Sequence, residues 1–187
     1  MLRSRWTAAL CGCALLACAG SAQAQGGASA LSLGGRVLAA APVGDRGAGL
    51  ETGVGFGVDA GYEVRPGLVV YAGYSRTVFP VEQEGRDADR VDSGIDLGVL
   101  TRRPVGGVPL WFRGGIVFHE AETHLRSGGG GLDDGTTGVG LESGVGAEVR
   151  LGRHVMLLPG VGYTAYPVGD PGGVSHLRAE VGVRLRP

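Results

Sequence analysis

The chain has 187 residues, 38 of them glycine against an ordinary share of ~7%, and its 17 basic residues are all arginine, facing 18 acids. This near-balance leaves no electrostatic footprint for nucleic acid, the glycines have no three-residue period that would indicate collagen, and 43% apolar residues is too many for a disordered chain. The longest uncharged apolar run lies at the N-terminus and is too short to cross a bilayer as a helix, which excludes a helical membrane protein.

Residues 1–24 read as a secretory signal peptide. Arg3 and Arg5 form a positive start, the segment from Trp6 to Leu16 is apolar, and Ala22 and Ala24 place small residues at the −3 and −1 positions of a cleavage site. Cys11, Cys13 and Cys18, the three cysteines of the chain, all lie in this segment, so residues 25–187 hold no disulfide and no thiolate site. Leu15-Leu16-Ala17-Cys18 also resembles a lipoprotein box, which leaves acylation at Cys18 as a second processing route.

After residue 25 the dominant period is two. It predicts strands near 30–41, 51–65, 68–79, 91–102, 109–121, 137–151, 154–166 and 175–186. Each is about 10–15 residues long, whereas strands of soluble proteins run ~5–6 and membrane-crossing strands need ~9–11. In the second strand Val54, Phe56, Val58, Ala60, Tyr62 and Val64 share one face, and Gly53, Gly55, Gly57, Asp59, Gly61 and Glu63 share the other. The fourth, sixth and eighth strands repeat the pattern, and the fourteen Arg, Asp and Glu residues of these four strands all fall on one parity.

The charged face is also the glycine face. On a solvated exterior glycine contributes no packing and costs backbone entropy; inside a narrow barrel it makes room for long side chains from neighbouring strands. The apolar face is therefore assigned to lipid and the charged face to the lumen, the reverse of a soluble lipocalin-like barrel. Proline 159 stands in mid-strand, where a closed sheet has no edge to shelter its missing N–H, so a bulge is expected near 158–160.

Connections alternate in length. Segments 65–67, 103–109 and 152–153 are short, and 42–50, 80–90, 126–136 and 167–174 are longer and more polar. Tyr62, Trp111 and Phe112 flank the short turns, and Phe79, Phe118, Tyr163 and Tyr166 flank the long loops, as two interfacial aromatic girdles would. The fold class is therefore all-β: an eight-stranded antiparallel up-and-down transmembrane β-barrel over 25–187.

In its signal peptide, strand count, turn alternation and final alternating strand the chain resembles the small outer-membrane barrels of the OmpA and OmpX type. The resemblance implies the outer membrane as location, with outer-membrane lipid and the barrel-assembly machinery as partners. The residues themselves lead to the expectation of a structural or surface-interaction role, with no cofactor, metal or nucleic acid and with the extracellular loop partner open. The chain departs from such barrels in ending Val183-Arg184-Leu185-Arg186-Pro187, without a terminal aromatic residue.

The inward set is Glu51, Asp59, Glu63, Asp92, Asp96, Glu142, Glu148 and Glu180 against Arg36, Arg65, Arg102, Arg113, Arg150, Arg178, Arg184 and Arg186. Equal numbers of each sign imply mutual pairing, since a lone buried charge is costly. Arg36, Asp59, Asp96, Arg113, Glu142, Arg178 and Glu180 lie nearest mid-strand and are the candidate lumen ion network. It reads as a salt-bridge plug; a gated, ion-selective channel would want one sign in excess. Arg178 and Arg113 are the candidate partners of Glu142.

Other motifs carry less. His119 and His124 are five apart, not the four of a zinc helix, and the segment is a strand end. Gly128-Gly129-Gly130-Gly131-Leu132-Asp133 resembles a single calcium-binding repeat where such sites need stacks. A rival reading is a lipid-modifying enzyme using His119, His124 or His176 with Ser127 or Ser175, although no spacing marks a nucleophile–base pair.

Overall fold

The computed structural model describes residues 30–44, 49–83, 86–125, 136–166 and 174–186. The proposed signal peptide, Cys18, Ser127 and the glycine run at 128–131 lie outside them. The strands are β1 (Leu31–Pro42), β2 (Gly53–Arg65), β3 (Leu68–Gln83), β4 (Arg86–Val105), β5 (Val108–Leu125), β6 (Thr136–Ala147), β7 (Val149–Arg150), β8 (Val155–Ala165) and β9 (His176–Leu185). Each pairs antiparallel with its neighbour in sequence, β1 pairs with β9, and β6 and β7 both pair with β8 as two parts of one stave, so eight staves close into a barrel.

The register fixes the shape. Following paired residues around the wall leads from Ser32 to Gly61, Tyr71, Gly98, Gly115, Glu142, Thr164 and His176, and returns to β1 at Pro42, ten residues further along. Ten residues at ~3.3 Å over eight staves ~4.8 Å apart tilt the strands by about 40° and give a backbone radius of about 8 Å. Such a lumen is filled by side chains.

The alternation decides which side faces out. Val54, Val58, Val99, Ile116, Leu141, Val161, Leu177 and Val181 are exposed on the outer surface, and Arg36, Asp59, Asp96, Arg113, Glu142, Arg178, Glu180 and Arg184 are buried inside. The inward glycines stand where long side chains cross. A Cβ on Gly57 would lie 2.9 Å from the Arg36 guanidinium carbon, and one on Gly162 would lie 2.6 Å from Arg178 Nε.

Several expected boundaries are corrected. Segment 103–109 is not a seven-residue turn: β4 and β5 run on to Val105 and Val108, leaving Gly106 and Gly107 at φ of 58° and 83°. Two successive positive φ values define the hairpin turn that suits twisted strands, and glycine supplies both without a Cβ penalty. Segment 80–90 is also largely strand, with Phe79 through Gln83 paired to Arg90 through Arg86. The 20-residue β4 covers about 50 Å along the axis at this tilt, well beyond an apolar band of ~25 Å. Outside the bilayer the ladder needs hydrogen bonds but no apolar alternation, so the sequence pattern fades before the strand does.

Pro159 is accommodated without the expected bulge. Gly146 pairs with Gly160 and Val149 with Leu157 in unchanged register. The β6–β8 ladder is interrupted between Ala147 and Val149, opposite Pro159, while the Glu148 N–H donates to the Pro109 carbonyl at 2.8 Å and continues the β5–β6 register by one step. The irregularity in register falls elsewhere, between Glu63 and Arg65 at the β2–β3 turn.

The aromatic assignment is corrected in part. Tyr62, Phe112, Phe118 and Tyr163 are exposed on the outer surface, but Trp111 and Phe79 are fully buried in the lumen and the Tyr166 ring packs at a tilt against inward-facing His119, centroids 4.1 Å apart. Trp111 shares the parity of Arg113, which settles its direction.

Val58→Arg or Val181→Arg is expected to cost ~2–4 kcal/mol in lipid vesicles, measured by urea unfolding, because each places a charge on the lipid face at mid-depth.

Candidate functional site

The lumen is built from side chains that alternate inward on every stave. At its waist Arg36 of β1 donates to Asp96 of β4 at 2.7 Å and lies 3.9 Å from Glu142 and 3.8 Å from Glu180. Arg178 of β9 donates to Glu142 of β6 at 2.7 Å and lies 3.2 Å from Glu180. Two arginines thus hold three carboxylates drawn from β4, β6 and β9. Neutral groups complete the layer: Ser75 donates to Asp96 at 2.9 Å, Thr164 accepts from Arg178 at 2.8 Å, and the Tyr71 hydroxyl donates to Glu142.

A second cluster lies toward the short-turn end. Asp59 of β2 accepts from Arg113 of β5 at 3.4 Å and from Arg184 of β9, and Arg184 also reaches the Ser32 hydroxyl at 3.3 Å. Tyr71 links the clusters, since its ring carries the Arg113 guanidinium 4.7 Å from the centroid while its hydroxyl serves Glu142. Below, Val69, Tyr71, Leu100, Trp111 and Leu158 pack into an apolar layer. At the long-loop end Leu38, Ala40 and Phe79 form another, with Phe79 against His176.

Two small cavities flank the waist. One is bordered by Asp59, Trp111, Arg113 and Arg184, the other by Thr77, Asp92, His119 and His176, and Arg36 alone borders both. The Arg36 layer therefore divides the lumen.

All seven candidate network residues are buried in the lumen, in two linked groups. Arg36, Asp96, Glu142, Arg178 and Glu180 meet at the waist, and Asp59 and Arg113 meet below it. Of the two candidates for Glu142, Arg178 is its close partner, whereas Arg113 turns to Asp59. Of the wider inward set, Glu51 and Arg65 are exposed at strand ends, and the Arg150 side chain is 77% exposed beside Glu148. Alternation assigns a side but not a depth.

Sequence reasoning missed Tyr71, Ser75 and Thr164. The one charge on the central part of β3, Arg76, is exposed on the outward parity, so charge alternation gave that strand no inward face. Arg184 was placed inside but not among the central residues, because its long side chain reaches from near the end of β9 to Asp59.

The histidines do not form a catalytic pair with serine among the described residues. His119 and His176 point into the lumen, and His124 is exposed 3.0 Å from Glu122. The Ser175 hydroxyl accepts from the Tyr166 N–H at 3.1 Å.

The family profile described as outer membrane protein beta-barrel domain matches residues 10–184. A closed antiparallel barrel with an apolar exterior and a charged lumen agrees with that match: the chain belongs to the outer-membrane β-barrel family. Among solved structures it is similar to Neisserial surface protein A, NspA, at 18% identity and a TM-score of 0.61, over 86% of this chain and 99% of that one. It is also similar to Ail, the attachment invasion locus protein of Yersinia pestis, at 16% identity and a TM-score of 0.50, over 83% and 95%. The N-terminal β-barrel domain of Pseudomonas aeruginosa OprF gives 10% identity and a TM-score of 0.51, over 85% and 98%. No curated protein matches significantly. These likenesses establish the fold, and the family match supports the outer membrane as location.

Glu142→Ala is expected to destabilise the barrel by ~3–5 kcal/mol, because it removes the closest carboxylate of Arg178, a partner of Arg36 and the acceptor of the Tyr71 hydroxyl at once. In urea unfolding from vesicles, the double variant with Arg178→Ala is expected to recover part of that loss.

Proposed function

We propose that this chain is a small outer-membrane barrel with a structural or surface-interaction role, exported by residues 1–24 and closed to ion flow by its lumen network. The single observation that carries the reading is the sharing of charge at the waist. Arg36 is held among Asp96, Glu142 and Glu180, while Arg178 holds Glu142 and Glu180 from the other side. Arg36, Asp96, Glu142 and Arg178 each have partners from at least two other staves, and Glu180 bridges Arg36 of β1 and Arg178 of its own strand, so moving any one of them weakens several pairs at once in a confined space.

The short turns face the periplasm and the long loops the exterior, the usual arrangement of such barrels. Against a lipid-modifying enzyme stands the direction of two of the three candidate histidines, His124 being exposed beside Glu122. A group acting on lipid must reach the outer face of the barrel, and His119 and His176 are buried within it. The barrel-assembly machinery is the expected folding partner, and surface interactions fall to the long loops.

Planar-bilayer recording tests the plug. Wild type is expected to show no large, stable, ion-selective openings, and Glu142→Ala is expected to conduct measurably. Large openings in wild type overturn the plug.

Intact mass of the membrane-extracted protein tests the export route. A chain starting at Gln25 without lipid is expected, whereas a diacylglyceryl group on Cys18 would establish the other route.

A further inference from the structure

The two ends of the barrel differ in charge. The loop segments 43–52, 81–90, 120–136 and 166–175 carry eleven acids and four arginines, whereas the turn segments 64–68, 103–110 and 149–155 carry Arg65, Arg103, Arg150 and Arg153 and no acid. At the short-turn rim Glu63 and Glu148 lie inside a chain of pairs. Arg186 reaches Glu63 at 2.9 Å, Arg102 reaches Glu148 at 2.9 Å and Glu63 at 3.9 Å, and Arg150 reaches Glu148 at 3.3 Å. Both rim carboxylates are therefore already shared between arginines. Arg65, Arg103 and Arg153 are exposed and have no ion-pair partner among the described residues.

These three arginines belong to three different turns around the rim, and apolar groups stand exposed beside them. Val105 and Val108 are 53% and 51% exposed next to Arg103, and Leu151 is 62% exposed between Arg150 and Arg153. Tyr62 and Phe112 face outward at the same end. Tyr62 and Phe112 lie on the barrel side of Arg65 and Arg103, with Val105 and Val108 beyond Arg103 at the hairpin tip; outward aromatic rings below guanidinium groups match the level at which acyl chains give way to phosphates. Arginine suits that level because its planar fork binds phosphate oxygens in pairs.

We propose that the short-turn rim is a docking surface for anionic phospholipid headgroups of the periplasmic leaflet, with Arg65, Arg103 and Arg153 as the phosphate-binding residues. The inference rests on the orientation given under Proposed function and is independent of the plug. Basic groups beside a bilayer are drawn to anionic lipid by a screened attraction, so the rim selects phosphatidylglycerol over phosphatidylcholine and loses that selection in salt.

The test uses the full mature chain refolded in vesicles, with spin-labelled phosphatidylglycerol and phosphatidylcholine as probes of the lipids in contact with it. Wild type is expected to prefer phosphatidylglycerol by about threefold or more at low salt, and to lose most of that preference in 1 M chloride. The triple variant Arg65→Gln, Arg103→Gln, Arg153→Gln is expected to fall to near-equal selection, and Arg76→Gln, on the central part of β3 away from the rim, to match wild type. Arg153→Gln alone, in a turn outside the strand ladder, is expected to give an intermediate value and serves if the triple variant does not fold.

Equal selection by folded wild type, or preference unchanged in the variants, overturns the inference and leaves the barrel reading intact. Inorganic phosphate that abolishes the preference at a matched ionic strength of chloride also overturns it, since the rim would then recognise the free ion. A chain without a heat-modifiable folded form on gels overturns the barrel itself, and this inference with it.

Discussion

Lipid offers no hydrogen-bonding partner to the backbone, so a sheet that crosses it must close on itself. Everything else in this molecule follows from how that closure is made. Pairing β1 with β9 and returning ten residues out of register sets the tilt and a radius of about 8 Å. That radius leaves a lumen that side chains can fill. It also places inward residues from distant parts of the chain within reach of one another, such as Arg36 and Asp96, sixty residues apart.

A narrow lumen explains the composition. Arginine and glutamate can span a wall-to-wall distance of this size only if the positions they cross lack side chains, and glycine provides the room. Gly57 lies under Arg36, Gly162 under Arg178, and Gly98 and Gly115 beneath the Tyr71 hydroxyl. The abundance of glycine is therefore the counterpart of the buried ions. Those ions are strongly interdependent: Glu142 accepts from Arg178 and Tyr71, and Tyr71 carries Arg113, which holds Asp59. Burying such groups gives little net stability compared with apolar packing, but removing one member is costly. Each member of the network therefore depends on the others for its partners.

The lumen is capped by chemistry of a different kind. Trp111 with Val69, Leu100 and Leu158 closes the side toward the short turns, and Phe79 with Leu38 and Ala40 narrows the other. These groups need only volume and parity, whereas the waist needs defined partners. Outside the bilayer, β3, β4 and β5 continue as a hydrogen-bonded sheet without the alternation that marks their central parts.

The sequence by itself determined the side of the wall on which most residues stand, because alternation is a local property with period two. The inward direction of Asp59, Asp96, Glu142, Arg178 and Glu180 was legible without any knowledge of the fold. Strand 68–79 was the exception: with Arg76 on its outer face, nothing marked Tyr71 as inward, and Trp111 was read as a girdle residue although its parity with Arg113 pointed inside. The tertiary structure alone decided depth and partnership. Whether Glu142 meets Arg178 or Arg113 depends on the stagger accumulated across every hairpin, and a shift of two residues at any one of them would preserve all the faces and change all the pairs. Only closure of the whole barrel fixes that sum, which is why the sides were readable one strand at a time and the salt bridges were not.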